Sequence, residues 1–237
     1  MAAAAADPAA GGHQGALIVL DRLLAAARTL LTLGRGVARG LPPLTSVDDP
    51  IAFFQRWFAD ARATGIYLPE SMTVATASAD GAPAARMMLL KGVDERGFVF
   101  YTNYESRKGG ELAANPRAAL VFHWAVLQRQ VRVEGVVERL TEVESAAYFH
   151  TRVRGSRIGA WASRQSAELA SRDELDRRVR EYEERFAGQD VPLPPFWGGF
   201  RLTPQVIEFW QGRVNRLHDR VRYTRQPSGW SVMRLYP

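Results

Sequence analysis

Around residues 128–138 the chain alternates: Val131, Val133 and Val137 interleave with Gln130, Arg132 and Glu138. A period of two sends successive side chains to opposite faces, so the segment predicts a half-buried antiparallel strand. Further strands are predicted at 73–78, 84–91, 98–102 and 118–124, and near 199–203, 206–210, 220–225 and 230–235. Some connections are short: Ala79-Asp80-Gly81-Ala82-Pro83 and Asp94-Glu95-Arg96-Gly97 have the composition of tight turns. Helices are predicted at 50–64, 106–115, 142–151, 157–163 and 172–187. Asp49 as N-cap and Pro50 at the first helical position open the first of these, and Phe53, Phe54, Trp57 and Phe58 give it an apolar face. Turn-linked strands with helices grouped between them imply a mainly β, α+β fold, an antiparallel Greek-key-like barrel with helical insertions.

The chain divides into an Ala/Gly-rich extension, 1–45, and a folded domain, 46–237. Within the extension, residues 17–33 are apolar and helical in pattern, but Asp21, Arg22 and Arg28 break any span of membrane length. No basic region precedes the apolar part, so a cleaved secretory signal is not expected. A docking helix is the preferred reading, with an organelle-targeting peptide second. Cysteine is absent, which excludes disulfides, thiolate catalysis and thiolate metal sites. The four histidines (His13, His123, His150, His218) lack metal-ligand spacing, so no metal is expected. A cytoplasmic protein that uses no membrane is the expectation.

The net charge of +6 raises the question of nucleic acid. Its distribution argues against that. Residues 201–237 hold seven arginines against Glu208 and Asp219, whereas residues 1–49 balance four of each sign. Charge concentrated this way suits a small anionic ligand. Only two of the 31 basic residues are lysines, Lys91 and Lys108, and both fall in the motifs that carry the chemistry. Lysine is a compact point charge, arginine a rigid fork of donors.

Four constellations carry the chemistry. Arg86-Met87-Met88-Leu89-Leu90-Lys91 ends an apolar strand in a cation, although a regular strand would send Arg86 and Lys91 to opposite faces. Tyr101-Thr102 closes the next strand, and Ser106-Arg107-Lys108 begins a helix, where free N–H groups and two cations make a phosphate site. Thr141 and Glu144 form a capping box that starts a helix. Tyr148 and Arg152 then share one helical face, and Ser156 lies near the start of the next helix, a second candidate phosphate pocket. Residues 210–220 (Trp210-Gln211-Gly212-Arg213-Val214-Asn215-Arg216-Leu217-His218-Asp219-Arg220) crowd three arginines and a histidine between two strands. Gln130, Gln165 and Ser166 add groups suited to a ring edge with alternating donors and acceptors. Singly, each stretch could be an ordinary solvated or capped surface.

Together these stretches, with 192–200, resemble the pyridoxamine 5′-phosphate oxidases, from about residue 49 to the end of the chain. The resemblance implies a split β-barrel that binds FMN and works as a homodimer with sites at the interface. It implies FMN contacts from Arg86, Met87, Met88, Leu89, Leu90, Lys91, Tyr101, Thr102, Arg107, Lys108, Gln130, Gln165, Ser166, Trp210 and Arg220. It implies that Lys91, Tyr148, Arg152 and Ser156 hold the substrate's phosphate, and that Arg216 and His218 lie against its ring as the catalytic pair. The implied reaction oxidises pyridoxamine or pyridoxine 5′-phosphate to pyridoxal 5′-phosphate, with hydride passing to the flavin and dioxygen reduced to hydrogen peroxide. In one respect the chain departs: Leu33 and Gly36 stand where the family carries an arginine and a tyrosine that cover the substrate. The competing expectations are another split-barrel flavin or deazaflavin reductase, a non-catalytic pyridoxal-phosphate carrier, and a basic nucleic-acid-binding module.

Overall fold

The computed structural model describes Leu41 and residues 49–237. The expected apolar helix at 17–33, the boundary at 45/46 and the positions Leu33 and Gly36 lie outside the described residues. Helix α1 (Pro50–Ala63) starts as its sequence dictates: Asp49 accepts a hydrogen bond from the Ile51 backbone N–H at 3.0 Å, and Pro50 needs no partner at N1. Nine strands follow in one antiparallel sheet: β1 (Ser71–Ala77), β2 (Pro83–Leu89), β3 (Gly92–Asp94), β4 (Gly97–Asn103), β5 (Arg117–Trp124), β6 (Arg129–Arg139), β7 (Trp197–Gln211), β8 (Asp219–Gln226) and β9 (Gly229–Leu235). Between them lie α2 (Arg107–Ala114), α3 (Glu142–Thr151), α4 (Arg154–Ala162) and α5 (Arg172–Arg185). The sheet order is β2-β1-β5-β6-β7-β4-β3, with β8 pairing β7 and β9 pairing β8. The expected antiparallel barrel with helical insertions is therefore the observed architecture, a curled half-barrel.

The core explains the curl. Val131, Val133, Phe122, Leu120, Ile207 and Phe209 are fully buried on the concave face. Phe54 of α1 sits 4.9 Å from both Phe98 and Phe122, closing that face like a plug. A second, smaller core of Phe149, Ile158, Phe186, Val191 and Trp197 ties α3, α4 and the end of α5 to the start of β7. That satellite fixes where α3 and α4 stand beside the sheet.

Several expectations are corrected. The two strands expected at 199–203 and 206–210 are one, β7, with a bulge: Gly135 pairs Pro204, Glu134 pairs Val206, and Gln205 is the extra residue. Proline is tolerated in this long strand because β7 pairs β4 only up to Leu202 and β8 only from Val206, so the missing N–H falls in the gap. Strand β2 ends at Leu89, not at 91, and β3 was not foreseen. Helix α4 begins at Arg154, three residues before the expected 157. Gly97 opens β4 at φ +136°, where an added Cβ would lie 2.0 Å from the Leu202 carbonyl oxygen, so the Asp94–Gly97 hairpin needs glycine there. No described helix is long and apolar enough to cross a membrane.

Candidate active site

A cavity of about 730 Å³ opens between the edge strand β2, β4, α2 and the α3–α4 pair. It is lined by Arg86, Met87, Met88, Leu89, Lys91, Tyr101, Thr102, Lys108, Tyr148, Arg152, Ser156 and Gln165 among others. These come from sequence-distant stretches, and the sheet order brings them together. The parity problem between Arg86 and Lys91 is resolved by the strand's end: after Leu89 the Leu90 N–H turns to the Glu70 carbonyl and the Lys91 N–H to that of Val99. Lys91 thus leaves the pleat and reaches the same cavity as Arg86. Among the described residues strand β2 is also the sheet's edge, and no described strand meets its outer backbone donors and acceptors. They can meet the polar rim of a planar ring.

One end of the cavity is a network of buried charge. Ser106 caps α2, its side chain accepting from Gly109 N–H. Lys108 folds back and donates to Thr102 Oγ1 and Gln165 Oε1 at 2.9 Å each, and to Ser106 Oγ at 3.2 Å. All three ammonium donors are used. Burial, and next the Arg86 guanidinium, push the Lys108 ammonium down to about 8. Arg86 pairs with Glu111 Oε2 at 3.1 Å, and Arg107 donates to Glu111 Oε1 at 2.8 Å. Hydrogen bonds from Thr76, then Arg107 and Arg86, hold the Glu111 carboxyl below the usual range against the opposing effect of burial. Glu111 was not singled out from sequence; its i, i+4 spacing from Arg107 is the signal that could have found it.

A second pole is built on α3 and α4. The Thr141–Glu144 capping box fixes the start of α3 as expected. Tyr148 lies in the last turn and Arg152 is the C-cap, so the pair shares a side of the helix end. Tyr101 stacks on Tyr148 with ring centroids 4.0 Å apart. The Arg152 guanidinium lies 4.7 Å from the centroid of Trp197. Its Nη1 is buried without a partner. A buried guanidinium nitrogen with no acceptor is costly and suits a site built to receive an anion.

Not every expected residue lines this cavity. Leu90 is 5% exposed and packs in the main core, because the turn after β2 points it inward. Arg107 has a 65% exposed side chain and meets Glu111 on the outer side of α2. Ser166 follows Gln165 with a left-handed backbone, φ +75°, outside the lining. Gln130, Trp210 and Arg220 form a separate cross-strand row, Gln130 opposite Trp210 and Trp210 opposite Arg220. Directly paired residues share a face, and this one is opposite to that of Val131, Phe209 and Val221 in the core. Arg220 is held by Glu208 at 2.8 Å. His218 lies 4.5 Å from the Trp210 ring and accepts from the Arg213 backbone N–H at Nδ1, 3.2 Å, which leaves the neutral ring's proton on Nε2. Asn215 and Arg216 both take positive φ, +57° and +60°, an arrangement that stores strain in the loop. One chain alone does not unite this cluster with the cavity.

The family model described as pyridoxamine 5′-phosphate oxidase matches residues 58–186, and that described as the pyridoxine 5′-phosphate oxidase C-terminal dimerisation region matches residues 197–237. The pyridoxine/pyridoxamine 5′-phosphate oxidase of Psychromonas ingrahamii is 56% identical over 210 residues, covering 89% of this chain and 97% of that protein. That of Rubrobacter xylanophilus is 58% identical over 213 residues, covering 90% and 98%. The crystal structure of PhzG from Burkholderia lata, in complex with tetrahydrophenazine-1-carboxylic acid, superposes with a TM-score of 0.79 at 32% identity, covering 84% of this chain and 98% of that one. A pyridoxamine 5′-phosphate oxidase-related, FMN binding protein from Nostoc punctiforme shares the fold at TM-score 0.62 and 16% identity, over 83% of this chain and 98% of that one. This chain belongs to the pyridoxamine 5′-phosphate oxidase family of flavin-binding split barrels.

Proposed function

We propose that this protein oxidises pyridoxamine 5′-phosphate and pyridoxine 5′-phosphate to pyridoxal 5′-phosphate, with FMN as cofactor, as a cytoplasmic homodimer. The observation that carries the reading is the cavity with two cationic poles, one of which, Arg152, keeps a buried donor with no partner. Residues 46–237 form the catalytic unit and residues 1–45 an extension to it.

The residues fit an FMN. Arg86 of β2 and Lys108 in the first turn of α2 suit its phosphate, and Arg107 adds positive charge from the outer side of that helix. The free edge of β2 from Arg86 to Lys91, together with Thr102 and Gln165, suits the polar rim of its ring. When bound, the flavin would take a hydride from the substrate's 4′ carbon and pass the electrons to dioxygen, giving hydrogen peroxide. The chain's own part is alignment. Lys91, Tyr148, Arg152 and Ser156 grip the substrate's phosphate, and the aromatic wall excludes water from the ring. Proximity of this kind removes about 7–11 kcal/mol of barrier in favourable cases. Gln130, Trp210, Arg216, His218 and Arg220 of a second copy complete each site, which accounts for their separation from the cavity in one chain. Arg216 and His218 orient the substrate ring, His218 offering its Nε2 proton.

The test is direct. The purified protein should show flavin absorbance and release peroxide with pyridoxine 5′-phosphate, and Arg216→Ala should lower turnover far more than FMN retention. A protein that takes up no FMN ends the reading. The PhzG likeness favours one second reading, oxidation of another planar ring acid; a substrate panel in which a ring carboxylate outruns both phosphate esters selects it.

A further inference from the structure

Trp197 opens β7 and is 8% exposed, yet nothing in its own chemistry explains why an indole stands at this point of the cavity wall. Its surroundings do. The rings of Tyr101, Tyr148 and Trp197 are nearly parallel, with interplanar angles of 18° for Tyr101–Tyr148, 10° for Tyr101–Trp197 and 8° for Tyr148–Trp197. Arg152 caps this group, its guanidinium 4.7 Å from the Trp197 centroid and 5.6 Å from that of Phe149. Among the described residues Arg152 forms no ion pair, and burial works against its charge.

The two poles of the cavity are thus held by different physics. Arg86 is anchored by the Glu111 carboxylate, which fixes it but offsets its charge. Arg152 is anchored by an aromatic face. A ring beneath a guanidinium sets its plane through the quadrupole and leaves every in-plane N–H free to fork an anion. A carboxylate in the same place would compete with the substrate for those donors.

The geometry points to Trp197 as a positioning residue: its indole face sets the plane of the Arg152 guanidinium, so that the full charge and the in-plane donors are presented to the anionic end of the substrate. This rests on the reading of Arg152 as a ligand of the substrate's phosphate. The rings of Tyr101 and Tyr148 stack parallel to the indole, with centroids 5.5 Å and 6.3 Å from it, and Gly198 and Gly199 let the chain pass close to Tyr104 and Leu140. An added Cβ at Gly198 would lie 2.1 Å from the Tyr104 hydroxyl oxygen, and one at Gly199 2.5 Å from Leu140.

The experiment uses the FMN-loaded enzyme and four variants, Trp197→Phe, Trp197→Leu, Arg152→Ala and the Trp197→Leu/Arg152→Ala double. KM and kcat are measured with pyridoxine 5′-phosphate, and inorganic phosphate serves as a competing anion. The expected result for Trp197→Leu is a KM about tenfold higher, with kcat within about twofold. Inhibition by inorganic phosphate weakens in parallel, and Trp197→Phe shows a smaller rise because a weaker ring remains. In the Arg152→Ala background, Trp197→Leu adds no further rise. Loss of kcat at unchanged KM, or an equal rise in the Arg152→Ala background, overturns the role. If Trp197→Leu does not fold, Trp197→Phe decides, and an unchanged KM there overturns it. A wild-type enzyme inactive on pyridoxine 5′-phosphate, or an Arg152→Ala enzyme with unchanged KM, overturns the underlying reading of Arg152 instead.

Discussion

Lys108 shows how a single residue can be tuned by position. Its ammonium is buried and sits near Arg86, so its charged form is disfavoured and it titrates at about 8. An arriving phosphate needs that charge. In the apo protein the charge is present below pH 8 and lost above it, so FMN affinity should fall as pH rises through 8. The expected fall approaches about tenfold per pH unit between pH 8 and 9.5. Riboflavin, which has no phosphate, should bind with a flat profile. Fluorescence titrations of both flavins across this range check the claim; a flat FMN profile contradicts it. Lys108→Met should flatten the FMN profile as well. Glu111 works at the same scale. Glu111→Ala leaves the half-buried Arg86 without its counter-charge, so the apo protein should melt several degrees lower, measured by calorimetry. Lys91 and Lys108 stood out in the sequence because the chain otherwise uses arginine. Glu111 and Trp197 did not, because a carboxylate in a helix and an aromatic before Gly-Gly are ordinary until their partners are known.

At the level of elements, local signals predicted most boundaries. The capping box gave α3 as 142–151, and Asp49-Pro50 gave the start of α1. Errors came where tertiary pairing overrode local chemistry. Pro204 reads as a strand breaker, yet β7 runs through it because its two outer neighbours leave a gap there. Glycines divide in the same way. Gly97→Ala should destabilise by more than about 2 kcal/mol, combining a positive φ with a backbone clash. Gly188 has φ +69° but open space around it, so Gly188→Ala should cost only about 1 kcal/mol. Denaturant melts of the two variants give the ordering; equal losses would contradict the clash at Gly97.

For the whole molecule, the division of the expected site into two clusters matters most. The cavity holds Arg86, Lys91, Lys108, Tyr148 and Arg152, while Trp210, Arg216, His218 and Arg220 lie outside its lining. The C-terminal match is to a dimerisation region. If each site draws one cluster from each subunit, Arg152→Ala and Arg216→Ala complement each other. A mixed dimer then has one site carrying both substitutions and one carrying neither. Random mixing of the two impaired variants, assayed at a substrate concentration well below the KM of Arg152→Ala, should bring turnover to about a quarter of wild type, since half the dimers are mixed and each has one intact site. No recovery after co-refolding would place both clusters in one subunit's site.

The sequence by itself determined the fold class, most helix starts and the cationic residue types that suit phosphate groups. Those follow from period-two alternation, capping chemistry and charged side chains that are visible locally. Only the tertiary structure decided which of these residues share a cavity. It carried Lys91 round the end of β2 to join Arg86, turned Leu90 into the core, and set the C-terminal cluster apart. The physical reason is that sheet order and register are fixed by non-local hydrogen bonds and by burial of the shared core, and no short stretch of chain encodes either.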